Sequence, residues 1–267
     1  MAITTRDGLI AAMGAGQGAQ FMKPQISSAG GAFYCLFRVS GAPGAAAIPA
    51  TASGNTCDRT TAGALLIPFP SATTYLTTFE ASCTVPGVLR LSDRLVETGA
   101  LSFITTTAQT INSVALPARA TTALDVELWF EVHATGGAVA SPTVTCTYTN
   151  QSGISGRTAV LDGGLPTSVG TQMQRSYPLS LQSGDTGVQS VQSFTSTTST
   201  GAAGACGIVL RRRIAMGTVV AANLGFNEGY AETGLEKIPD LACLELLWLA
   251  TGGNTGTVQG AIDIAQG

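Results

Sequence analysis

The chain has 267 residues, only 11% of them charged, and a formal net charge of −3 from 13 basic and 16 acidic side chains spread along its length. Ordinary soluble domains carry about 25% charged residues. This balance offers no electrostatic footprint for nucleic acid or for an anionic membrane. The length exceeds the usual one-domain range of about 100–200 residues, which argues for two domains, and 33 glycines among short Thr and Ser runs form a strand-and-turn vocabulary.

In chain order, the opening "MAITTRDGLIAAMGAGQ" has neither the basic n-region nor the long apolar h-region of a secretory signal, so the chain is expected to remain where it is translated. Thr5 is placed to cap a short helix over "RDGLIAAM" that Gly14, Gly16 and Gly18 end, within an N-terminal arm of residues 1–24. The arm reads as a docking element or a frayed tail. The "GAGQG" run follows a helix, whereas a dinucleotide-binding loop follows a strand and opens one, so it reads as a helix stop and linker.

Beyond the arm, short strands alternate with Gly, Pro, Asn and Ser turns, and a phrase recurs. Aligning "ATGG" at Ala134–Gly137 with "ATGG" at Ala250–Gly253 sets Leu128, Phe130 and Val132 over Leu244, Leu246 and Trp248. This period-2 pattern makes both segments strands, although "DLACLELLWLATGG" at first looks helical. In the first copy Glu127, Trp129, Glu131 and His133 would form a wet face. In the second, Leu247 and Leu249 replace Glu131 and His133, so that face is expected to be covered by the other unit or a neighbouring subunit.

Other matches keep the same order. Leu89, Leu91 and Leu95 lie over Ile208, Leu210 and Ile214, Phe79 over Phe194, and Cys35 over Cys146. An offset near 110–120 throughout reads as a tandem duplication. The expected architecture is all-β: two antiparallel, jelly-roll-like sandwich units at residues 25–142 and 143–267 behind the arm. The longest apolar run, Leu241–Ala250, is interrupted by Glu245 and is shorter than the roughly 18–20 residues of a membrane span. A mean hydropathy of +0.30 with so little charge implies a surface largely covered in an assembly.

Few residues suggest chemistry. His133 is the sole histidine, so any triad or histidine metal site must use it, and beside Glu131 and Trp129 it reads as a solvated or interface side chain. Cys35, Cys57, Cys83, Cys146, Cys206 and Cys243 lack a C-x-x-C pair and read as buried thiols, with late oxidation into strand or subunit cross-links as the alternative. Glu228, Glu232 and Glu236 are spaced as an acidic helical stripe, but Gly225, Gly229 and Gly234 favour a loop, with calcium second. The duplication sets Asp93 over Arg212 at inward positions. Either a bulge turns both outward, the preferred reading, or the two units meet there as an ion pair.

The stretches "MAITTRDGLIAAMGAGQ", "SDRLVETGALS", "YTNQSGISGRTA" and "LQSGDTGVQSVQSFTSTTSTGAAGACGIVLRRR" resemble a group of virion proteins of tailed bacteriophages. The resemblance spans most of the chain and carries no catalytic motif. It implies a non-enzymatic structural protein of the virion, made in the host cytoplasm. Capsid decoration or cement is the leading role, and a head-to-tail or tail accessory, or a receptor- or carbohydrate-binding module, is the alternative. The expected partners are further copies of the chain, as a trimer before a dimer, and the major capsid protein or another virion protein. Cofactor, metal, nucleic acid and membrane are not expected.

Overall fold

A computed structural model describes residues 3–15, 18–68, 73–166 and 173–267. Among them helix is confined to α1 (Arg6–Ala15), α2 (Tyr230–Thr233) and two 3-10 turns. The strands are β1 (Ala19–Lys23), β2 (Ala32–Cys35), β3 (Asn55–Thr56), β4 (Thr74–Cys83), β5 (Gly87–Glu97), β6 (Leu101–Ser102), β7 (Gln109–Thr110), β8 (Glu127–Ala134) and β9 (Val144–Asn150). They continue as β10 (Arg157–Val160), β11 (Arg175–Pro178), β12 (Val188–Ser196), β13 (Ala205–Val219), β14 (Phe226–Glu228), β15 (Lys237–Ile238), β16 (Leu244–Ala250) and β17 (Val258–Gln266). The chain is all-β as expected, and Leu244–Ala250 is a strand. Thr5 caps α1, its Oγ1 accepting the Gly8 N–H at 3.0 Å. Gly16 and Gln17 of the "GAGQG" run lie outside the described residues.

The domain boundaries differ from the expected ones. The chain forms two compact units, unit 1 from Met1–Ala46, Asp58–Asp93 and Arg213–Gly267, and unit 2 from Ala47–Cys57 and Arg94–Arg212. The division falls inside β5 and β13, not near residue 142. Linear segments were the wrong frame because unit 1 recruits strands from both ends of the chain.

In unit 1, β17 lies between β1 and β4, with β14 and β15 on the other side of β4. Separately, β16 is flanked by β2 and by the first part of β5, with Leu246 opposite Leu91 and Trp248 opposite Leu89. In unit 2 the order β10-β9-β12-β7 forms one sheet. There β8 is flanked by β11 and β13, and β13 also pairs with β6. Cys35 and Cys146, aligned in sequence, therefore occupy differently placed strands: β2 borders β16, whereas β9 lies between β10 and β12.

Period-2 burial builds the unit 2 core. Along β9, Val144, Cys146 and Tyr148 are buried while Thr145, Thr147 and Thr149 are half-buried. These inward residues join Val191 and Phe194 of β12, Leu128, Phe130 and Val132 of β8, and Ile208 and Leu210 of β13 in one apolar cluster. Phe130 stacks on Phe194 at 5.7 Å and approaches Phe103 at 5.9 Å. Phe130→Ala should remove the ring common to both contacts and destabilise the protein by about 3–5 kcal/mol, measured as a lower urea midpoint at unchanged slope.

Candidate functional site

The expected wet face of β8 is not wet. Glu131 is 0% exposed and His133 and Trp129 are 1% exposed. A buried carboxylate costs several kcal/mol unless cations and hydrogen bonds replace its water, and unit 2 supplies them from β5 and β13. Arg94 reaches Glu131 through two guanidinium nitrogens, at 3.0 and 3.2 Å, and through Nε donates to Glu97 at 2.7 Å. Arg211 adds a contact to Glu131 Oε2 at 3.3 Å, its guanidinium lying 4.9 Å from the centre of the Trp129 ring. The Trp129 indole N–H donates to Glu127 at 2.7 Å.

His133 Nε2 lies 3.1 Å from Glu131 Oε1. With a neutral ring, Nε2 carries the proton and donates it, which leaves Nδ1, buried and unpartnered, as the bare nitrogen. Gly207 faces the ring edge. A Cβ there would sit 2.0 Å from Thr98 O and 2.4 Å from His133 Cε1, so β13 can run this close only with glycine. Two carboxylates and two guanidiniums thus close on one another, with the histidine packed at the edge. The arrangement holds charge within unit 2 and presents no reacting atom to solvent.

The other expected sites fare differently. Leu247 is 0% exposed and Leu249 half-buried within the single chain, so Leu247 is not an outward contact for a neighbouring subunit. Asp93 is not turned outward by a bulge. It is 0% exposed and accepts the Cys243 N–H at 2.9 Å, while Arg212 is half-buried. All six cysteines are buried thiols, none bonded to another sulfur, and burial pushes the Cys146 and Cys206 thiols well above the ordinary range. Sulfurs so placed do not meet those of another subunit. Glu228 ends β14, Glu232 lies on the one-turn α2 and Glu236 follows it, so no helical stripe forms. Among the described residues no group of three His, Cys, Asp or Glu side chains is placed to hold a metal ion, and no helix is long and apolar enough to cross a membrane.

Two polar features lay outside the sequence reading. In unit 1, Lys23 is 1% exposed and donates to the carbonyls of Val39 at 2.9 Å and Pro43 at 2.6 Å, and burial lowers its pKa to about 8. In unit 2, Asp185 accepts from Arg157 Nε at 2.8 Å, Asn150 Nδ2 at 2.7 Å and the Tyr148 hydroxyl. The hydrogen bond from Arg157, aided by those from Tyr148 and Asn150, lowers the Asp185 pKa to about 2. Asn150 Oδ1 in turn accepts the N–H groups of Ser152 and Ile154 at 3.0 and 2.9 Å, shaping the turn between β9 and β10. No motif marked either group, because their partners are distant in sequence or are backbone carbonyls.

No protein-family model matches the chain, and no curated protein matches it. Among solved structures, the chain is similar to the Gt strain structure of infectious bursal disease virus, at 8% identity and a TM-score of 0.23, covering 94% of this chain and 81% of that one. It is similar also to the VP2 subviral particle of that virus, at 9% identity, a TM-score of 0.23 and coverage of 94% and 80%. For T=1 particles derived from the same virus the values are 9%, 0.25, and 94% and 77%. At these TM-scores the likeness carries no argument about function.

Two outcomes test the polar groups. Glu131→Gln should remove the buried carboxylate charge that Arg94 and Arg211 share and cost about 3–5 kcal/mol, whereas replacing Arg94, Glu97, Glu131 and Arg211 together by Met, Gln, Leu and Met should recover most of that loss in chemical denaturation. Asp185 has a folded pKa below its unfolded value, so its contribution is full above about pH 4 and is lost as pH falls toward about 2. The Tm difference between the native chain and Asp185→Asn should therefore be constant near neutrality and vanish across that window.

Proposed function

We propose that the chain is a non-enzymatic structural protein of a virion, a decoration or cement protein of a tailed-bacteriophage capsid, built from two jelly-roll-like sandwich units of duplicated origin. The observation that carries this reading is the surface. Large apolar side chains stand in solvent on both units: Leu66, Val220, Leu224 and Leu241 on unit 1, and Leu124 and Ile154 on unit 2, each more than half exposed. Few charges dilute them. Such a surface favours coverage by neighbours, and the resemblance of its quoted stretches to phage virion proteins supplies the setting.

In this role the protein spans joints between shell subunits and adds buried area that must be lost before the shell opens. Many copies act together, so each contact can be weak. Closed symmetry favours a trimer at three-fold positions. The carbohydrate- or receptor-binding alternative has no observation of its own in its favour.

Quantitative mass spectrometry of purified particles, with particles lacking the chain heated alongside, tests the proposal. Expected are hundreds of copies per particle and genome release at a lower temperature without the chain. A few copies per particle would move the protein to the tail or a single vertex, and its absence from particles would overturn the virion reading.

A further inference from the structure

We infer that the two units are one strand arrangement present twice, with the chain order rotated in unit 1 so that both chain ends fall where unit 2 has a single hairpin turn. The inference rests on the duplicated-unit reading and is independent of the virion role. Its first support is register. In unit 1, β17 meets β4 with Gly260 opposite Ala81, Ala261 opposite Glu80, Ile262 opposite Phe79 and Asp263 opposite Thr78. Thr77 is then skipped, and Ile264 and Ala265 face Leu76 and Tyr75.

In unit 2, β9 meets β12 with Val144 opposite Ser196, Thr145 opposite Thr195, Cys146 opposite Phe194 and Thr147 opposite Ser193. Gln192 is skipped, and Tyr148 and Thr149 face Val191 and Ser190. One shift carries β9 onto β17 and another carries β4 onto β12, and all six pairs coincide across a bulge at the same place; the ladders part at the next pair, where β12 skips Gln189 and Asn150 faces Val188 while Gln266 faces Thr74 without a skip. Bulges arise from one extra residue at one point of a ladder. Two unrelated strand pairs have no reason to share both the register and the bulge.

The second sheet repeats the agreement. Leu244 opposite Asp93, Leu246 opposite Leu91 and Trp248 opposite Leu89 in unit 1 match Leu128 opposite Leu210, Phe130 opposite Ile208 and Val132 opposite Cys206 in unit 2. The flanking strands agree as well. β1 borders β17 with Ala19 opposite Ile262, as β10 borders β9 with Ala159 opposite Cys146. β2 borders β16 on the side away from β5, as β11 borders β8 on the side away from β13.

Unit 2 therefore reads β8, β9, β10, β11, β12, β13 along the chain. The same positions in unit 1 are filled by β16, β17, then β1, β2, β4 and β5. Between β9 and β10 unit 2 has the turn Gln151–Gly156, with Gly153 and Gly156 at φ of 79° and 73° and Asn150 holding Ser152 and Ile154. At the equivalent point of unit 1, β17 ends the chain and β1 follows the N-terminal arm. The β1–β17 ladder closes that pair, and α1 of the arm also packs against β17.

A permuted chain tests the rotation. Gln266 is joined to Gly18 by the seven residues that separate Asn150 from Thr158, and new ends are opened between Ser152 and Gly153. The native chain without residues 1–17, and a native chain cleaved at a protease site inserted at Ser152–Gly153, serve as references. The permuted chain is expected to fold with a Tm within about 5 °C of the lower of the two references, and a permuted chain that does not fold overturns the rotation. Cross-strand Hα–Hα contacts in NMR spectra of the native protein test the duplication separately. Contacts that skip Thr77 and Gln192 alike support it, and ladders that skip only one of these two residues overturn it, whatever the permuted chain does.

Discussion

The organisation of unit 2 turns on a carboxylate buried from solvent. Glu131 projects from the face of β8 opposite the apolar core, and the guanidiniums of Arg94 and Arg211 and the edge of His133 stand where solvent would be. Pairing of this kind yields little net stability against an apolar alternative, yet removing one member is costly because the rest stay buried. The network therefore fixes positions. Arg94 must sit at one point of β5 and Arg211 at one point of β13, and Gly207 must stay bare for β13 to pass the imidazole. A strand slipped by one residue would bury the wrong partners.

Unit 1 meets the same requirement with different chemistry. At the position of Glu131 it has Leu247, fully buried, and at the position of His133 it has Leu249. Under the proposed duplication, one strand position carries the ion-paired Glu131 in unit 2 and the apolar Leu247 in unit 1, where the buried charge sits two residues away at Glu245. That is the outcome expected when the backbone ladders are kept and each copy satisfies its own interior.

Alternation revealed the strands and the all-β class, including Leu244–Ala250, because a period of two survives whatever the far face touches. For the same reason it could not say what that face touches. Glu131 and His133 alternate with Phe130 and Val132 as a solvated face would, and only the three-dimensional approach of Arg94 and Arg211 shows that they are buried. The match of Asp93 with Arg212 failed in a related way. The ladders set Asp93 at the position of Leu210 and Arg94 at that of Arg211, and a two-residue slip leaves every side chain on its original face, so the apolar pattern cannot detect it.

The proposed rotation of chain order would account for a repeat that shows in the sequence while its borders do not. A comparison at one offset finds β8 over β16 and β4 over β12 because those strand pairs share nearly the same spacing along the chain. It then forced β2 onto β9 to complete the series, joining Cys35 to Cys146. In the fold β2 corresponds to β11 and β9 to β17, a relation that no single offset expresses. Unit 1 is defined by pairing rather than by one continuous segment, and its β1 and β17 meet through ladder hydrogen bonds where, in unit 2, β9 and β10 are also joined by the turn Gln151–Gly156.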